Sequence, residues 1–269
     1  MEKIQGKTLI LNGKLADISA FNPERSAGLY YEVIRVMEGR PLFLEDHLAR
    51  LESSCRKANV NLPELATIRN QIHHLITYLS IEEGNIKPVI YREKGNWLLC
   101  CYQVPHVYPK ASDYLEGVPV KTFSYVRPAP TIKRWNEDFR SKVNDFIRDE
   151  GIYEAILVNE SGYLTEGSRS NLFFFDRSDR LITAPETIIL PGITRKYVLQ
   201  ACRALNIEVL EDLLTIEGAE DMAACFISGT SPKILPVRKL DKVNYSADHT
   251  ILRKIMAWYD ELINSRIGE

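Results

Sequence analysis

Apolar and polar residues change places in short runs from the start of the chain, and short runs bounded by turn residues predict strands. KTLILNGKLADI has β-like runs on either side of Asn12-Gly13, the dipeptide that most favours a tight hairpin. LYYEVIRVMEGRPLFL repeats the arrangement around Glu38-Gly39. The period then changes. Leu48, Leu51, Cys55 and Ala58 recur at helical spacing behind Asp46, a residue type that caps helices. A second helix follows Pro63, with Leu65, Ile68, Ile72, Leu75 and Leu79 on one side. KPVIYREKGNWLLCCYQV predicts another hairpin around Lys94-Gly95-Asn96. The segment PHVYPKASDYLEG, 105–117, keeps no period and is the expected linker.

Beyond it, VPVKTFSYV reads as a strand and RPAPTIKRW as irregular chain. NEDFRSKVNDFIRDEG is an amphipathic helix with Phe139, Val143, Phe146 and Ile147 inward, and Gly151 ends it. Strands are expected at YEAILV, SNLFFF and LIT, then a helix over GITRKYVLQACRALN, a strand at IEVLEDL, a short helix and a strand at CFISGT. ADHTILRKIMAWYDELINSR closes the chain as an amphipathic helix. The alternation implies a mixed α/β fold, and 269 residues suffice for one large domain or two modest ones; in the second case the linker divides a smaller one over 1–117 from a larger one over 118–269. No internal repeat or low-complexity tract interrupts it.

Composition narrows the function classes. Apolar content of 45% and charged content of 26% are ordinary for a soluble globular chain. A formal charge of −2 offers no basic excess to neutralise phosphates, which argues against nucleic acid as a main partner. The five cysteines include no CxxC and pair with no nearby histidine, so they read as reduced thiols of a cytoplasmic protein, neither disulfides nor metal ligands. MEKIQGKTLI lacks the apolar core of a signal peptide, and no apolar run approaches membrane-spanning length.

Three polar clusters stand out against the apolar pattern. In YLTEGSRSNLFF, 163–174, Glu166 lies between runs that enter and leave a core. A Thr-Glu-Gly triplet is usually a solvated turn, but an acid directed inward needs a cationic partner. In LPGITRK, 190–196, a Pro-Gly turn delivers Ile193 and Thr194 to a helix start, where free N–H groups favour an anion. SGTS, 228–231, sets hydroxyls around a glycine at a strand end; it suits a phosphate or satisfies itself locally. Two anion sites and a buried acid suit a ligand with a phosphate at one end and a protonatable nitrogen at the other. Pyridoxal phosphate answers that description.

The spacing is also recognisable. From Glu166 the chain runs Glu-Gly-Ser-Arg-Ser-Asn-Leu-Phe, then Leu-Ile-Thr, then Leu-Pro-Gly-Ile-Thr-Arg. This resembles the signature of class IV aminotransferases, the fold-type-IV pyridoxal phosphate enzymes, which include branched-chain aminotransferases, D-amino acid aminotransferases and aminodeoxychorismate lyase. LFLEDHLARLESS, YEAILVN and FISGTSPKILPVRKLD extend the resemblance over most of the chain. It implies a two-domain enzyme with the cofactor at the domain interface. Glu166 would pair with the pyridinium nitrogen. Arg50 would bind the phosphate, with the N–H groups of Ile193 and Thr194 and with Thr230, and with Ser231 ranked behind Thr230. Arg50 also has a local reading, an i,i+4 ion pair with Asp46.

Lys121, Lys133 and Lys142 precede YEAIL. Lys142 reads as a solvated helix face and Lys121 as a strand residue. The resemblance gives Lys133 the catalytic role, covalent attachment of the cofactor and proton transfer at the substrate Cα. It also sets Tyr31 at the substrate side, although a strand tyrosine packed on its sheet reads as well. No Arg-x-His appears in the first half, Asn85 and Lys87 replace the tyrosine and arginine of the branched-chain Tyr-Ile-Arg-Pro strand, and Glu93 replaces the glycine of the lyase Ser-Arg-Gly. The leading expectation is transfer of an amino group from a branched-chain or related apolar amino acid to a 2-oxo acid by a homodimer. Pyruvate release from aminodeoxychorismate is the alternative, followed by a D-amino acid aminotransferase or a non-catalytic cofactor-binding homologue. Donor stereochemistry is not fixed by these residues.

Overall fold

The hairpins form where the turn residues demand them. The structure, a computed structural model, describes residues 3–24 and 28–268. Strands β1 (Thr8–Leu11) and β2 (Lys14–Asp17) turn at Asn12-Gly13, β4 (Ile34–Met37) and β5 (Arg40–Pro41) at Glu38-Gly39, and β6 (Glu83–Glu93) and β7 (Asn96–Val104) at Lys94-Gly95. All six turn residues have positive φ, the signature of the two-residue turn whose twist matches a hairpin. LYY is a separate strand, β3 (Leu29–Tyr31), which pairs with β6 and not with β4. Helices α1 (Leu44–Lys57) and α2 (Leu65–Leu79) carry the predicted apolar stripes.

Asp46 does not cap α1. The helix begins two residues earlier because buried Leu44 already belongs to its apolar stripe, and Phe43 precedes it in the left-handed region. Asp46 and Glu45 fall in the first turn, where they complement the helix dipole.

The described residues divide into two compact units. The first takes the chain up to Val107, the segment Ile132–Glu137 and the last residues from Arg266. Its seven-stranded sheet runs β2-β1-β7-β6-β4-β5, with β3 also on β6. Alternation sorts the two faces: Ile10, Ile90 and Cys101 join α1 and α2 in one cluster, and Leu9, Val89 and Cys100 join Tyr31, Tyr91 and Tyr102 in another.

The second unit holds Tyr108–Thr131 and Asp138–Ser265. Its elements are α3 (Ala111–Glu116), β8 (Val118–Ser124), α4 (Glu137–Glu150), β9 (Glu154–Val158), β10 (Tyr163–Gly167), β11 (Asn171–Phe175), β12 (Leu181–Thr183), α5 (Ile193–Ala204), β13 (Val209–Glu211), β14 (Leu214–Thr215), α6 (Ile216–Glu220), β15 (Ala224–Gly229), β16 (Lys233–Leu240), β17 (Val243–Asn244) and α7 (Thr250–Gly268). The sheet runs β13-β12-β11-β15-β16-β8-β9-β10-β14. β10 also pairs with β11, through Glu166 opposite Asn171, and that contact closes six strands into a ring. Ile156, Leu172, Phe174, Ile227 and Val237 share one core, while Ala155 and Leu157 face the opposite way, onto Phe139 and Val143 of α4.

The expected linker is only partly irregular, because α3 lies inside it. Asp113 accepts from the Lys110 N–H at 2.7 Å, the Tyr114 hydroxyl donates to the Pro232 carbonyl, and the Arg253 guanidinium caps the Tyr114 and Leu115 carbonyls. Two of these partners lie more than a hundred residues away in sequence, out of reach of any local pattern. Among the described residues no helix is long and apolar enough to cross a membrane.

Candidate active site

Glu166 sits inside strand β10, 3% exposed, and not in a solvated turn. Its Oε1 accepts from Arg127 Nε at 2.9 Å and its Oε2 from the Leu190 N–H at 3.1 Å. Arg127 also donates to the Ser168 carbonyl at 3.2 Å, and its guanidinium lies 5.7 Å from the Phe139 ring. The turn after Glu166 is organised by Glu154, buried in β9. It accepts from the Ala155 and Arg169 N–H groups and from the Ser168 and Ser170 hydroxyls, at 2.6–3.1 Å. A Cβ on Gly167 would stand 2.1 Å from Ser170 Oγ, so the turn leaves no room for a side chain there.

Helix α5 starts at Ile193 behind Gly192, with no side-chain cap. Its first N–H groups and the positive end of its dipole therefore suit an anion. Thr194 is buried, its hydroxyl 3.4 Å from that of Tyr259. Arg195 is buried beneath the same turn and donates to the Ala184 carbonyl and to Glu186 and Glu211. Thr230 and Ser231 lie half-buried in the turn between β15 and β16. Just before them, the Ser228 hydroxyl is buried with no hydrogen-bond partner among the described residues, and Ser228 pairs with Asn171 across the sheet.

In the first unit, Arg50 grips Glu32 with both arms, Nε to Oε1 at 2.8 Å and Nη2 to Oε2 at 2.6 Å. Glu32 is fully buried and also accepts from His47 Nδ1 at 2.8 Å. Burial alone would raise the Glu32 carboxyl, but Arg50 and His47 outweigh it and hold it at about 2. Burial pushes His47 down against the pull of Glu32. Burial also takes the Cys55, Cys100 and Cys202 thiols up to about 12, so these cysteines supply no thiolate near neutral pH.

Lys133 is half-buried and belongs to the first unit. Its N–H donates to Ser54 Oγ of α1 at 3.1 Å, its carbonyl accepts from the Tyr31 N–H, and its Nζ lies 5.0 Å from the Tyr31 ring centre. Tyr31 is buried edge-on to Trp135 at 5.7 Å. Buried Lys87 sets its Nζ 4.1 Å from the Tyr31 ring and 4.0 Å from the Trp135 ring. The other two candidate lysines lie elsewhere: Lys121 pairs with Glu150, and Lys142 is exposed on α4. The sequence reading missed Glu32, Glu154 and Arg127, and it treated Lys87 only as a departure from a motif. Of these, Glu154 carried a signal: an acid opening a run of apolar strand residues needs internal donors.

The amino-transferase class IV family model matches residues 29–240, most of the chain. The chain belongs to the class IV aminotransferases. A probable branched-chain-amino-acid aminotransferase from Rickettsia conorii is 23% identical over 88% of this chain and 87% of its own length. The D-alanine aminotransferase of Bacillus licheniformis is 27% identical over 78% of each. Among solved structures, the Escherichia coli branched-chain amino acid aminotransferase matches with a TM-score of 0.84 at 22% identity, over 96% of this chain and 95% of that one.

Class IV aminotransferases are pyridoxal phosphate enzymes that move an amino group between an amino acid and a 2-oxo acid. The side chains present fit that cofactor. Within the second unit, Glu166 is a buried carboxylate suited to a ring nitrogen, and the uncapped start of α5 and the Ser228 hydroxyl are unspent donors suited to an anion.

Proposed function

We propose that Lys133 is the lysine that takes the cofactor aldehyde and then moves the proton at the substrate Cα. In this reading Glu166 meets the ring nitrogen. Arg50, the N–H groups of Ile193 and Thr194, Thr230 and, secondarily, Ser231 meet the phosphate. Tyr31 lines the substrate side. The observation that carries the reading is Glu166, a buried carboxylate held in place by the Arg127 guanidinium and the Leu190 N–H. That geometry suits an acid that must keep a ring nitrogen protonated. When bound, pyridoxal phosphate supplies the electron sink for the charge left at Cα. The chain's own task is to hold that ring charged, grip the phosphate and present one basic amine.

The amino donor is a branched-chain or related apolar amino acid and the acceptor a 2-oxo acid. The name of the Rickettsia relative and the aromatic pair Tyr31 and Trp135 beside Lys133 support this. The enzyme works as a homodimer, as the family resemblance implies. The five cysteines, all free and buried, support a cytoplasmic setting.

Borohydride treatment of the yellow protein should fix the cofactor to Lys133 on peptide mapping. An adduct on Lys121 or Lys142 overturns that assignment. Parallel assays with L-leucine, L-isoleucine, L-valine, D-alanine and aminodeoxychorismate, using 2-oxoglutarate or pyruvate as acceptor, decide the substrate. The branched-chain donors should lead. Faster turnover of D-alanine, or pyruvate release from aminodeoxychorismate, would replace this reading.

A further inference from the structure

Leu190, two residues before the N-cap of α5, is held at both of its backbone groups. Its N–H donates to Glu166 Oε2 at 3.1 Å, and its carbonyl accepts from Asn171 Nδ2 at 2.9 Å. Glu166 and Asn171 are themselves the directly opposed pair that joins β10 to β11. A third contact comes from the other end of the amide. A Cβ built on Gly192 would lie 1.9 Å from Asn171 Oδ1, so this side chain packs straight onto the N-cap residue of α5.

We propose that Asn171 is a positioning residue that fixes the reach between the Glu166 carboxylate and the N-terminus of α5. A rigid ligand with a ring nitrogen at one end and a phosphate at the other can then be met at both ends at once. This rests on the reading that Glu166 and α5 contact those two ends. The physical reason is the value of joined contacts. Two sites at a fixed separation bind a linked ligand far more tightly than its separate parts, and the gain vanishes when the separation drifts. An amide suits the task because one end donates to the Leu190 carbonyl while the other packs against Gly192. Alanine offers neither contact.

Cofactor is stripped from the full-length wild type, Asn171→Ala, Gly192→Ala and the double variant. Each is titrated with pyridoxal phosphate, with pyridoxal and with inorganic phosphate. Both single variants should bind pyridoxal phosphate about 10- to 100-fold more weakly, while affinity for each fragment changes by less than about threefold. Gly192→Ala should cost much less in the Asn171→Ala background, where the clashing oxygen is gone. Should Asn171→Ala fail to fold, judged by circular dichroism, Gly192→Ala makes the same demand from the helix side. An equal loss on all three ligands, or no loss on the joined one, overturns the proposal. The underlying reading fails separately, if Glu166→Gln leaves the affinity and visible spectrum of pyridoxal unchanged.

Discussion

A guanidinium four residues after Asp46 on a helix invites an i,i+4 pair, and nothing in that spacing announces that Arg50 sets its Nε and Nη2 on Glu32, eighteen residues back. That changes what a substitution reports. Arg50→Ala strands a buried carboxylate, and breaking such a pair costs about 3–5 kcal/mol. Glu32→Gln combined with Arg50→Ala should recover most of this in urea unfolding. The loss of cofactor affinity, roughly one to two decades for a charged hydrogen bond to phosphate, should persist in the double variant. Recovery of affinity along with stability would remove Arg50 from the phosphate. The same cluster predicts acid sensitivity. Glu32 is held at about 2 against an ordinary 4.5, so its stabilisation is complete above pH 4.5 and is lost as pH falls toward 2. The difference corresponds to about 3 kcal/mol. His47, pushed below its ordinary 6.5, folds neutral, so acid below that value also favours the unfolded chain. Urea midpoints across this range should fall with acid, and less steeply below pH 4.5 in Glu32→Gln. An unchanged slope would assign the effect to other carboxylates.

Helix endings follow one rule that local sequence expresses only in part. After α4, the Ile152 N–H reaches the Ile147 carbonyl and the Gly151 N–H the Arg148 carbonyl, with Gly151 at φ +62°. This is the Schellman arrangement, and glycine meets its left-handed demand at no steric cost. α2 ends the same way with Ser80 in that position at φ +49°, the Ile81 N–H on the Ile76 carbonyl and the Ser80 N–H on that of Thr77. Asn59 and Asn206 do so after α1 and α5. Ser80→Gly should therefore stabilise the protein by about 0.5–1 kcal/mol, and Gly151→Ala should cost about 1 kcal/mol, both read from urea unfolding. A destabilising Ser80→Gly would mean that the serine side chain makes a contact worth more than its strain. Gly151 was legible as a stop; Ser80 was not, because nothing local marks a serine that must turn left-handed.

At the scale of the molecule, two units each close their own core, and the candidate contacts divide between them: Arg50, Lys133 and Tyr31 belong to the first, Glu166, Ile193, Thr194, Thr230 and Ser231 to the second. Cofactor that binds only the folded chain raises its stability by mass action, about 2.7 kcal/mol at a hundredfold excess over the dissociation constant. Melting followed against added pyridoxal phosphate should rise with concentration, and a flat response would contradict binding to the native chain. Three hairpin turns, the two stripes of α1 and α2 and the spaced Glu166 and LPGIT clusters were determined by the sequence alone. Turn chemistry, periodicity and helix starts are settled within a few residues, so they can be read along the chain. Which charge meets which was decided only by tertiary structure. Arg50 on Glu32, Arg127 on Glu166 and Arg253 on the carbonyls of α3 join residues 18, 39 and 138–139 positions apart. Such a charge loses its hydration on burial and needs an opposite charge or an oriented dipole in reach. Only the course of the folded backbone brings that partner there.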